Sequence, residues 1–263
     1  MSEYAGTDRM KALQQSLRER RAEFDANPLL ANGGRIMNIL DPDQYGWANV
    51  KDAAYQDGIV VLSMVDREET LPRLRSMFGS DVDFPYWQSF TGARHDVMAA
   101  CSAVTADIEM PKGWRVASHP RPDDDTIHSA QVLNEMCGVA PAPAYYLRGE
   151  DVPSMLTCIY DAQGSMAACA SASMRYHPEG PLAGWLFAGG VSVHPDHRRR
   201  GLGALVNASM LTDSQTQYNW TCALAQAKAD NAASVGMIMR CGLRQNAKKI
   251  TVAINLSDGH VTR

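Results

Sequence analysis

The chain lacks any long apolar run, any C-x-x-C pair and any excess of positive charge, and each absence removes a class of protein. No stretch approaches the roughly 20 apolar residues that a membrane-spanning helix needs. The six cysteines (Cys101, Cys137, Cys158, Cys169, Cys222, Cys241) are scattered, several in apolar surroundings, so free buried thiols are expected rather than disulfides or zinc ligands. Lys and Arg number 25 against 29 Asp and Glu, for a net charge of −4, which argues against nucleic acid or an anionic membrane as partner. The opening segment "MSEYAGTDRMKALQQ" has no apolar stretch of the kind an export signal requires. A reducing cytoplasm is therefore the expected location, and the sequons at Asn207, Asn219 and Asn255 carry no glycan there.

What is present is an ordinary globular composition. Of 263 residues, 45% are hydrophobic and 21% charged, enough to bury a core in one large or two small domains. In "DRMKALQQSLRERRAEFDAN", Met10, Leu13, Leu17 and Phe24 fall on one face of a helix. "GIVVLSMVD" reads as a strand, and "REETLPRLRSMFG" as a helix interrupted or started late by Pro72. A helix from about His95 to Val104 closes the first half, and "MPKGW" (Met110 to Trp114) carries the turn signals of a boundary. Beyond it the order is strand, helix, three strands, helix, strand, helix, strand: an α/β fold on a mixed sheet. Within it "GWLFAGGVSV" is nearly unbroken in its apolar character, as a central strand should be. No internal repeat is visible.

The stretch "VSVHPDHRRRGLGALV" (Val191 to Val206) concentrates the chemistry. An apolar strand meets Pro195, three arginines, two glycines and a helix. The first N–H groups of a helix lack internal partners, and the helix dipole is positive there. Gly201 and Gly203 let a ligand approach the main chain, and Arg198, Arg199 and Arg200 add fixed charge, so the corner suits a phosphate or pyrophosphate. A solvated basic turn is the other reading. The pattern is neither a P-loop nor a dinucleotide fingerprint, since both glycine spacings are absent.

This stretch resembles motif A of the GNAT acetyltransferase superfamily, Gln/Arg-x-x-Gly-x-Gly/Ala between the fourth strand and the next helix. Arg198, Gly201 and Gly203 match it. "KADNAASVGMIMRCGLRQ" resembles a second segment of that family, with Asn231, Ser234, Met237, Gly242 and Leu243 in place. The resemblance implies a GNAT acyl-CoA N-acyltransferase fold over residues 111–263. A smaller N-terminal α/β region over 1–110 precedes it, with a degenerate GNAT-like half as one reading. It implies acetyl-CoA as co-substrate, held by Val191, Ser192, Val193, Arg198, Arg199, Arg200, Gly201, Leu202, Gly203, Ala204, Asn231 and Ser234, with pantetheine pairing along the strand. It also implies transfer to a primary amine, expected to belong to a small molecule. A bulge at Gly189 and Gly190 would let the fourth and fifth strands part around the pantetheine.

The chemistry needs a neutral amine, an N–H donor for the tetrahedral oxyanion (expected from the main chain near Ser192 or Val193) and help for the departing thiolate. Ile238 stands where the family commonly has a proton-donating tyrosine, and no acidic base lies on the strand, so no catalytic residue is assigned. That leaves an inactive acyl-CoA-binding regulatory module as the alternative. Gln226 and Ser234 are expected to make ordinary polar contacts. His194 and His197 lack a third ligand nearby, and no metal is expected. "DFPYWQSF" (Asp83 to Phe90) is expected to seal the N-terminal half onto the rest. "PAPAYYLRGED" offers Tyr145, Tyr146 and Arg148 either to a small carboxylated amine or to the surface. A homodimer is left open.

Overall fold

A computed structural model describes residues 3–79 and 81–256. The first amphipathic stretch forms two helices, α1 (Asp8–Glu19) and α2 (Arg21–Ala26), broken at Arg20, with Leu13, Leu17 and Phe24 buried as expected. Two short strands follow, β1 (Leu30–Asn32) and β2 (Met37–Ile39), then helices α3 (Pro42–Tyr45) and α4 (Trp47–Asp57). Strand β3 (Ile59–Asp66) leads into α5 (Arg67–Phe78), which runs through Pro72 without interruption. Proline removes one helical hydrogen bond there. The Asp66 side chain accepts from the N–H groups of Glu68 and Glu69, and Leu74 is buried, so both flanking turns are anchored. Strand β4 (Tyr86–Ala93) and helix α6 (Arg94–Asp107) complete this half.

The second half follows the expected order. It comprises β5 (Arg115–His119), α7 (Asp124–Met136), a short α8 (Ala144–Leu147), β6 (Ser154–Tyr160), β7 (Met166–Ser173) and β8 (Trp185–Val193). A 3₁₀ turn at Pro195–His197 leads to α9 (Leu202–Tyr218), β9 (Cys222–Ala227), α10 (Ala232–Arg240) and β10 (Arg244–Asn255). Asp123 caps α7 by accepting from Thr126 N–H, and Gly242 follows α10 with φ +87°, a left-handed geometry that glycine adopts without strain.

All ten strands join one sheet in the order β1-β2-β3-β10-β4-β9-β8-β7-β6-β5. Strand β4 is inserted between β9 and β10 and is antiparallel to both, so the N-terminal half contributes a central strand to the sheet that carries the second half. The aromatic run explains the seam. Phe90 is fully buried in the core that α9 covers, Phe84 lies in the core beneath β3, and Trp87 packs with Val61 and Ala253. Among the described residues no helix is long and apolar enough to cross a membrane, and all six cysteines are free.

Candidate functional site

Strands β8 and β9 run parallel and pair only from Trp185–Cys222 to Phe187–Leu224. Beyond Phe187 they part. On the other edge of β8 the pairing with β7 slips between Ser171–Gly189 and Cys169–Ser192, so β8 carries one extra residue there. This is a β-bulge, and Gly190 takes it up with φ +62°. A Cβ at Gly190 would lie 2.7 Å from Ser171 Oγ, a hydroxyl that can turn away, so it is the left-handed conformation that favours glycine there. His194 N–H donates to Ala167 carbonyl on β7 at 2.9 Å. Alternation along the strand therefore turns Ser192 N–H toward β7 and Val193 N–H toward the open gap. The Ser192 hydroxyl is buried and donates to Asn134 Oδ1 at 2.7 Å, so this residue spends its side chain within the protein and its N–H faces β7.

The gap opens into a cavity of about 750 Å³, lined by β8 from Ala188 to Val193, the end of β9, the start of α9 and one face of α10. At its corner Arg199 and Gly201 adopt left-handed φ values of +62° and +77°. The first bond of α9 is Leu205 N–H to Gly201 carbonyl at 3.0 Å, so the amides of Leu202, Gly203 and Ala204 precede the internal ladder. No side chain caps this terminus. A Cβ at Gly203 would meet only Val193 Cγ2 at 3.5 Å and Met237 Cγ at 4.0 Å, ordinary contacts. Packing therefore does not require glycine at 203. Arg198, Arg199, Lys228 and Arg240 line the cavity and no Asp or Glu does, a field that favours a polyanion. Arg198 folds back along the rim, its Nε donating to Val193 carbonyl at 3.3 Å.

The cavity offers binding groups but few catalytic ones. Ile238 lines it with 4% of its surface exposed, packed into the core beside α9. Gln226 Nε2 donates to Thr251 Oγ1 at 2.6 Å, the ordinary contact expected of it. Asn231 caps α10 by accepting from Ser234 N–H at 3.1 Å, and both residues line the cavity. His197 stacks edge-on against Trp114 with ring centroids 5.0 Å apart, while His194 Nδ1 accepts from Asp196 N–H. Among the described residues no cluster of three or more His, Cys, Asp or Glu could hold a metal.

Family models match the chain at residues 124–243, with the acetyltransferase (GNAT) family. This stretch is a GNAT acetyltransferase domain. The family transfers acyl groups from acyl-CoA, with acetyl-CoA as co-substrate. The matched residues begin at α7 and end after α10; in the sheet β5 flanks their strand β6, while β4 lies beside their strand β9 and separates it from β10. Among solved structures, the chain is similar to a GCN5-related N-acetyltransferase from Kribbella flavida (18% identity, TM-score 0.56, 86% of this chain and 80% of that one). It is also similar to a tandem GNAT protein from the clavulanic acid biosynthesis pathway (15% identity, TM-score 0.53, 87% and 78%). A Drosophila protein aligns at 15% identity with TM-score 0.56 over 94% and 89%. At such identities the likeness is one of fold. No curated protein matches the chain.

The cavity of the GNAT domain thus gathers eleven of the twelve residues expected to hold acetyl-CoA; the twelfth, Arg200, lies exposed in the same turn but does not line it. Of the acceptor candidates, Arg148 is taken up in an ion-pair network with Glu3, Asp124 and Glu150, and Tyr145 is fully buried. Tyr146 lines a second, smaller cavity, together with two arginines that the sequence did not single out, Arg35 and Arg175. Their positions are 140 apart in the chain, and no local pattern joins them.

Proposed function

We propose that the protein is an N-acyltransferase that moves an acetyl group from acetyl-CoA to the primary amine of a small molecule by direct attack on the thioester. Residues 111–263 act as the acetyltransferase domain, and residues 1–110 form a region that completes its sheet. The observation that carries this reading is the gap between β8 and β9, opening at the bulge and ending on the uncapped amides of α9. Such a gap accepts pantetheine as an added half-strand, with the pyrophosphate on the helix terminus. Val193 N–H, facing the gap, serves the oxyanion. The arriving amine, with a pKa near ~10.4 when free, sheds its proton to water, since no carboxylate lines the cavity.

Ile238 favours a second reading, an acyl-CoA-binding regulatory module without turnover. Release of CoA thiol from acetyl-CoA across a panel of amines decides between them. Steady release with any amine establishes transfer; binding of acetyl-CoA with no release above the amine-free rate establishes the module.

The basic corner yields a further test. Arg198→Ala is expected to weaken acetyl-CoA binding about 10-fold at 20 mM salt, and less as salt rises, because the screening length falls below about 10 Å above 0.1 M. Calorimetry at several salt concentrations measures this. An effect independent of salt would mean that Arg198 acts only through its bond to Val193.

A further inference from the structure

The smaller cavity, of about 90 Å³, shares Gly190 and Val139 with the carrier cavity, so it abuts the bulge. Arg35 reaches it from the turn between β1 and β2, and Arg175 from just past the end of β7. Arg175 is only 8% exposed. Its guanidinium sits 3.6 Å from the centroid of Phe187 and 5.3 Å from that of Tyr176. Nη2 donates two long bonds, both 3.4 Å, to Asn38 Oδ1 and the Tyr176 hydroxyl, while the buried Nε has no partner. Burial and the adjacent charge of Arg175 push Arg35 down to about 10.

No Asp or Glu lines this cavity, and among the described residues neither guanidinium is paired with a carboxylate. The contrast within the molecule is sharp, since Arg148 and Arg20 both have acidic partners. Two neighbouring cations, Arg175 buried and Arg35 half-buried, held without a counter-charge destabilise the fold. An incoming anion would reverse that cost. The cavity admits a group of only a few heavy atoms, and a guanidinium fork matches the planar carboxylate in two parallel bonds.

We propose that Arg35 and Arg175 bind the carboxylate of the acceptor, which is then an amino acid or a similar small amino-carboxylate whose amine lies at the Gly190 bulge. This rests on the acyl-transfer reading and names its substrate class. The amine nitrogen bonds to the acetyl carbonyl carbon, the C–S bond breaks, and the thiolate takes up a proton equivalent to the one the amine sheds. The products are an N-acetyl amino acid and free CoA. It also gives the N-terminal region a task, because Arg35 belongs to that region.

The test is a calorimetric titration of the full chain, with CoA present, by the common amino acids, their primary amides and O-phosphoethanolamine. At least one amino acid is expected to bind about 100-fold more tightly than its amide, the kind of ratio a site built to pair one group enforces. Arg175→Met and Arg35→Met are each expected to bring that ratio below about 10-fold, with acetyl-CoA affinity unchanged as the sign of an intact fold. Arg35 lies in a surface turn and serves if the Arg175 variant does not fold. Equal binding of acids and amides, no binding of either, or preference for the phosphate-bearing amine overturns the proposal. Arginine-dependent binding of an amino acid that releases no thiol from acetyl-CoA leaves the carboxylate site standing and removes the transfer reading.

Discussion

Gly203→Val is expected to lower acetyl-CoA affinity about 100-fold, a loss of ~2.7 kcal/mol. The reasoning starts from the three amides of Leu202, Gly203 and Ala204 that precede the ladder of α9. A charge-assisted hydrogen bond contributes about 1.5–3 kcal/mol, so denying a diphosphate one or two of them accounts for the loss. Gly203 lies within the helix, where its backbone is tolerated by any residue, and the nearest atom to an added Cβ is Val193 Cγ2 at 3.5 Å. Gly203→Ala should therefore keep its melting temperature, and an alanine even favours a helix over glycine. It should already weaken binding, and valine should weaken it further. Calorimetry of both variants, alongside their thermal transitions, measures this graded series. Affinities within about threefold of wild type in a folded valine variant would remove the helix terminus from the carrier site.

The corner was legible because its signals are local. Strand, proline, arginines and glycines follow one another within Val191 to Val206, and each residue type has one physical consequence whatever surrounds it. The same holds for the order of elements after residue 110, where apolar runs are punctuated by Gly138, Gly164, Gly201 and Gly242, all with positive φ. The bulge was anticipated from adjacent glycines for the same reason, although only the register of β7 on β8 shows that Gly190 is the one that turns.

The N-terminal half was harder to read because its determinants are distant. Strands β1 and β2 have three residues each, too few to show a period. In the sequence the residues of β4 show only as a cluster of rings; their place between β9 and β10 depends on partners more than a hundred residues away. Pro72 suggested a break that the Asp66 cap and the burial of Leu74 override. Arg35 and Arg175 carry no local mark at all. A buried cation announces itself by the missing carboxylate around it, and sequence spacing does not record that.

Removal of residues 1–110 is expected to leave no cooperatively folding acetyltransferase domain. Six residue pairs join β9 to β4, from Ala93–Cys222 to Gln88–Ala227, and all would be lost. Strand β10 would lose both neighbours, β3 and β4, and could remain in the sheet only by moving against β9. Helix α6 would also leave the face of α9 that it covers, exposing the Val97, Cys101 and Val104 contacts of the shared core. An edge of unpaired main chain beside an open apolar face favours aggregation over folding. A milder probe of the same seam is Phe90→Ala, which empties a fully buried ring site. Its expected cost is about 3–5 kcal/mol, and the denaturation curve should stay a single transition that shifts as a whole. Circular dichroism during heating and in urea measures both. A fragment 111–263 that melts cooperatively and binds acetyl-CoA like the full chain would show that the GNAT domain closes its sheet without β4.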